Sequence, residues 1–93
     1  MRTMRRSGTD ITVTVVKHII LRNFWEYYIT TDKHNKDIVR AVVMGHEVEL
    51  GDISLSEIMP YAIMQTTNLA GIMPAPNWEW VDKIKYVKLS DIA

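Results

Sequence analysis

His46, Glu47, Glu49, Asp52 and Glu57 fall within one short stretch, and imidazole and carboxylates are the groups that bind borderline and hard divalent metals. Their order argues against a metal site. On a strand His46 points away from Glu47 and Glu49, no second histidine follows at a ligand spacing, and Glu57 is accounted for by helix capping. Neither a metal nor another cofactor is expected. Glu47 and Glu49 could work as acid and base if burial split their pKa values, but outward strand positions beside a turn stay solvated. Ser54 and Ser56 sit in no Gly-x-Ser-x-Gly elbow and read as helix-start residues instead of nucleophiles. His18, in an apolar run, and His34, in a polar turn, each stand alone. Gly45, Gly51 and Gly71 belong to no phosphate-binding pattern. The chain is therefore not expected to be an enzyme.

Charge is more informative than these candidates. The chain has equal numbers of basic and acidic residues, 11 of each, yet no lysine or arginine occurs between Arg40 and Lys83. Glu47, Glu49, Asp52, Glu57, Glu79 and Asp82 all lie in that gap, together with Met59, Met64, Met73, Trp78 and Trp80. A cation-free, partly apolar stretch of this kind suits a protein partner with a basic surface. Methionine and tryptophan are enriched where proteins grip one another, and the prolines around Met73 hold the segment extended. Closing a small core is an equally good reading of Trp78 and Trp80.

The elements that position these residues follow from periodicity. A length of 93 residues implies one domain without room for a second core. Residues 1–9 are Arg-rich and aperiodic and read as a mobile basic arm, with the ordered domain spanning 10–93. Ile11 to Lys17 and Phe24 to Thr31 are β-branched or aromatic and read as strands. The polar turn 32–37 leads to a further strand, Ile38 to Met44. Gly45-His46 turns the chain into alternating Glu47 to Leu50, and Gly51-Asp52 reads as another turn or bulge. Ser54-Leu-Ser-Glu57 matches a capping box, so a short helix is expected there, ending near Met59 because Pro60 cannot continue it. Residues 61–73 read as a helical continuation dissolving into a loop. Asn77 to Val81 admits a strand or a capped helix start, and Ile84 to Leu89 reads as an edge strand guarded by lysines. The expectation is an α+β fold, a mostly antiparallel sheet of about five strands with one short helix.

Other function classes are constrained as well. The absence of cysteine fits a cytoplasmic setting, no apolar run approaches the ~20 residues of a membrane span, and the basic start is followed by polar residues unlike a signal peptide. Arg2, Arg5 and Arg6 with Lys17 and Arg22 offer a basic face, and Trp25, Tyr27 and Tyr28 could stack bases. Against nucleic acid stands the missing positive excess.

Trp25-Glu-Tyr27 with Thr30, followed by Glu47-Val-Glu-Leu-Gly-Asp-Ile-Ser-Leu-Ser-Glu-Ile58, resembles the core of a domain-of-unknown-function family of small plasmid, phage and mobile-element proteins. In that family an aromatic strand leads to an acidic-Leu-Gly turn and a Ser-Leu-Ser-Glu helix start. The likeness covers roughly a third of the chain. The chain departs from the family pattern by opening with a strand where a leading helix belongs, and its Met73 to Trp80 tail has no counterpart. The resemblance implies a mobile-element context and transfers no catalytic residues. The function expected is thus a non-enzymatic protein-binding module, an accessory or host-modulating factor working through Glu47, Glu49, Asp52, Trp78 and Trp80, with a homodimer allowed by sheet extension. The alternative is a small nucleic-acid binder using Arg2, Arg5, Arg6, Trp25 and Tyr27.

Overall fold

The computed structural model describes residues 1–81. The strand expected at Ile84 to Leu89 and the carboxylate of Asp82 lie outside them. In chain order the described elements are β1 (Arg2–Arg6), β2 (Thr12–Leu21), β3 (Glu26–Lys33), β4 (Ile38–Met44), β5 (Val48–Ser54), α1 (Leu55–Ile58), a 3-10 turn (Met59–Tyr61), β6 (Ala62–Thr66) and β7 (Trp78–Val81). They form one antiparallel sheet of seven strands in the order β5-β4-β3-β2-β1-β7, with β6 also paired to β2. The mostly antiparallel α+β architecture with one short helix stands; the strand count of about five is too low because β1 and β6 carry no strand pattern in the sequence and Trp78–Val81, open there between strand and helix, is a strand.

β1 replaces the mobile arm. Arg2, Met4 and Arg6 alternate onto the face occupied by Val15, Val13, Trp80 and Trp78. Met4 is fully buried there, the Arg2 guanidinium lies 4.3 Å from the Trp80 ring centre, and that of Arg6 lies 5.3 Å from Trp78. Long arginine stems cover apolar surface while their heads reach water, so a strand with a single apolar residue can still bury a face. β6 forms from residues whose local preference is helical because the edge of β2 from His18 to Leu21 needs a partner. β1 and β6 thus share one edge of β2, end to end.

The sheet is covered on both faces, which corrects the expectation of a single core. One face buries Met4, Val13, Val15, Tyr28, Val42 and Trp78 under Leu69 and Ala75 of the long β6–β7 segment. The other buries Ile19, Leu21, Tyr27, Ile29, Val39 and Ala41, with Leu55, Ile58 and Met59 of α1 and the 3-10 turn packed against them. Gly51 and Asp52 continue β5 and make no turn.

The cap of α1 differs from the expected box. Ser54 occupies the N-cap position with extended backbone, but its side chain makes no cap hydrogen bond. Asp37, from the β3–β4 turn, does the work instead. Its carboxylate accepts from the Ser54 hydroxyl at 2.6 Å and from the Ser56 amide at 2.8 Å, while its carbonyl accepts from the Leu55 amide at 2.9 Å. The Ser54 hydroxyl, followed by the Ser56 amide, holds the Asp37 carboxyl below its ordinary 3.8. The ionised form is favoured by folding, so this contribution is present above pH 3.8 and fades as pH falls through the lowered value. Asp37→Asn is expected to lower Tm by a few degrees at neutral pH and by progressively less under acid, a loss that thermal melts across the acid range will show.

Candidate functional site

Two turns meet at one end of the sheet, the β2–β3 turn through Arg22 to Trp25 and the β4–β5 turn through Gly45 to Glu47. The first is tightly made: the Phe24 amide donates to the Leu21 carbonyl at 2.8 Å and the Trp25 amide to Asn23 Oδ1 at 3.0 Å. Phe24 adopts a left-handed backbone, φ 68°, a strained state for a bulky residue, and its ring is 77% exposed.

Trp25, the next residue, lies across the second turn. A Cβ on Gly45 would meet the indole Cη2 and Cζ3 at 2.8 Å, closer than real Cβ contacts come, so the missing side chain is what seats the ring. His46 meets that indole edge-on, ring centres 5.4 Å apart at 82°. Trp25, Val43, Gly45, His46, Glu47 and Glu49 together line a groove of about 310 Å³. Glu47 and Glu49 are exposed, and among the described residues no cation pairs with either. His46 sits in the turn, outside the strand alternation, and lines the groove together with the two glutamates.

The remaining expected site residues are placed elsewhere. Asp52 pairs in register with Arg40 while Glu49 pairs with Val43, so Asp52 is on the opposite face of β5. Its carboxylate contacts His34 Nε2 at 3.0 Å and Arg40 at 4.0 Å. Trp78 is 5% exposed, and the half-buried Trp80 donates through Nε1 to the Ile72 carbonyl at 2.8 Å. Both indoles close the core at the β7 side and neither joins the acidic groove. The nucleic-acid set is likewise committed: Arg5 bonds Glu79 at 2.7 Å, Arg2 and Arg6 cover the two indoles, and Tyr27 is buried and has no face to offer a base.

A polar pair missed from the sequence lies inside the sheet. His18, 3% exposed, hydrogen-bonds through Nε2 to Glu26 Oε1 at 2.9 Å, and its Nδ1 has no partner among the described residues. Tyr28 packs beside it at 4.8 Å and donates its hydroxyl to the Met73 carbonyl at 2.8 Å. Burial, and secondarily the Glu26 charge, push the Tyr28 phenol up to about 12. His18 stands opposite Tyr28 and Glu26 opposite Ile20, so the pair is diagonal across β2 and β3 and no local sequence spacing marks it. This cluster ties the β6–β7 segment to the sheet. Among the described residues no group of three or more His, Cys, Asp or Glu side chains is placed to hold a metal.

Comparison with protein-family models, with curated proteins and with solved structures finds no match to this chain. Fold and site therefore define the class by themselves: a small antiparallel sheet protein with an acidic, aromatic-walled groove at one end. No helix among the described residues is long and apolar enough to cross a membrane.

Proposed function

We propose that this protein is a non-enzymatic binding module that takes a basic segment of a partner protein into the groove between Trp25 and the two glutamates. The observation that carries the reading is the seating of Trp25 on Gly45 beside the exposed Glu47 and Glu49, which pair with no cation among the described residues. A lysine or arginine side chain gains from an indole face and from carboxylates together, and a preformed groove spares the ordering cost of building the site on binding. The carboxylates would also speed encounter with a positively charged surface. Phe24, held out at the cost of backbone strain, would supply an apolar anchor at the rim.

Asp52, Trp78 and Trp80 drop out of the proposed site, and Trp25, His46 and Phe24 enter it. The outer edge of β5 pairs with no other described strand, so a second copy could add there by sheet extension. The likeness to small plasmid and phage proteins supports an accessory or host-modulating role.

Nitrogen-edited NMR titration of the full chain with basic, neutral and acidic peptides of equal length tests this reading. Basic peptides are expected to move the amides of Trp25 and Gly45 to Glu49, more weakly at high salt. Glu47→Lys/Glu49→Lys is expected to weaken them at least about tenfold, and Gly45→Val to do the same by unseating the indole. Equal response to acidic peptides, or binding unchanged in both variants, refutes the assignment.

A further inference from the structure

The opposite end of the same sheet face carries a second, chemically inverted groove. It measures about 340 Å³ and has three lysines on its walls, Lys17, Lys33 and Lys36, above an apolar floor that includes Ile29, Val39 and Leu55. Among the described residues no carboxylate lines it and none of the three ammonium groups has an ion-pair partner. Asp37, the neighbour of Lys36, is not among the lining residues and is engaged by the Ser54 hydroxyl and the Ser56 amide. Lys33 also borders the adjoining cavity that holds Asp32 and Asp52, though neither carboxylate comes within ion-pair distance of it.

The backbone around this groove is irregular on both sides. The β2–β3 register passes from Val15↔Thr30 to Lys17↔Ile29, leaving Val16 as an extra residue on β2. The β3–β4 register passes from Ile29↔Ala41 to Lys33↔Val39, so β3 also carries excess chain. Bulges re-aim side chains and open a flat sheet, and they gather beside binding sites. Here one bulge is followed by Lys17 and the other ends at Lys33. Three like charges gathered over buried aliphatic surface repel one another unless an anion lies between them.

We infer that this groove binds a small phosphate monoester whose organic part is apolar. Lysine ammonium groups are strong point-charge ligands for phosphate, and three of them match a dianion better than a single carboxylate. The volume is at the small end for ligand pockets and fits a short or single-ring body lying over Ile29, Val39 and Leu55. The site is separate from the acidic groove and does not depend on it.

Phenyl phosphate and inorganic phosphate, titrated into the full chain and followed by NMR, provide the test. Phenyl phosphate is expected to shift the amides of Lys17, Lys33 and Leu55 saturably and to bind several-fold tighter than inorganic phosphate, the difference coming from the floor. Lys17→Gln/Lys33→Gln/Lys36→Gln is expected to reduce that affinity at least about tenfold with unchanged Tm, since these side chains reach solvent. The Glu47→Lys/Glu49→Lys variant is expected to bind phenyl phosphate as the wild type does, which separates this site from the proposed peptide groove. Absence of saturable shifts, or equal affinity in the triple variant, overturns the inference. Equal affinity for inorganic phosphate overturns the apolar part of it. A single-stranded oligonucleotide that displaces phenyl phosphate and binds more tightly assigns the lysines to nucleic acid and overturns the small-ligand reading.

Discussion

Removal of residues 1–7 is expected to abolish cooperative folding. A chain of this size has about 5–14 kcal/mol of stability in all, and truncating one buried methionine to alanine commonly costs about 2–5 kcal/mol. Met4 is such a residue, fully buried between Val13 and Trp80. The deletion also removes the strand that joins β2 to β7 and the two arginines that cover Trp78 and Trp80. What remains would expose Val13, Val15 and both indoles. Far-ultraviolet circular dichroism through a urea series should show a broad, low transition or none, and Met4→Ala alone should lower the midpoint by that cost divided by the m-value. A truncated chain melting like the full one would show that β1 contributes nothing to the core.

Tyr28→Ala is expected to cost about 3–5 kcal/mol, the range for deleting a large buried ring. Tyr28 is 1% exposed, packs against His18 and Trp80, and reaches across to Met73. Tyr28→Phe keeps the ring and loses the hydroxyl, so its cost should be nearer 0.5–1.5 kcal/mol, roughly that of one hydrogen bond. The two variants differ in pH behaviour as well. The phenol is raised from 10.0 to about 12, so the neutral form belongs to the folded state. Its contribution is whole below pH 10 and is lost as pH climbs toward about 12, because only the unfolded chain ionises readily in that window. Denaturant midpoints taken from pH 9 upward should fall for the wild type and fall less for Tyr28→Phe. A parallel decline in both would remove Tyr28 from the alkaline limb.

These expectations rest on contacts that differ in how openly the chain announces them. β2, β3, β4 and β5 are visible as β-branched or alternating runs, and the span Ile38–Met44 agrees with the expected one at both ends. β1 hides because its burial uses arginine stems, which a hydropathy pattern scores as polar, beside a lone methionine. β6 hides because Ala62, Met64 and Gln65 favour helix locally, and only the bare edge of β2 overrides them. Trp78 to Val81 was undecidable by periodicity and becomes a strand through pairing with β1, a partner at the far end of the chain. In the groove, Glu47 and Glu49 were legible as exposed carboxylates. Their aromatic wall was not, since Trp25 belongs to another hairpin and reaches them only because Gly45 leaves room for its ring. Asp37 shows the same limit: a cap supplied from a distant turn leaves no local signature, whereas Ser54 and Glu57 leave a misleading one.

The order of strands in the sheet has a consequence for how the chain acquires its fold. β1 to β4 each pair with the next strand in sequence, so the meander from β1 to β5 can zip through local contacts with short loops to close. β6 and β7 must instead reach back to β2 and β1. During synthesis from the amino terminus, β1 therefore waits with one edge bare and Met4 half covered until Trp78 to Val81 arrives, which leaves the nascent chain open to mispairing until β7 has emerged.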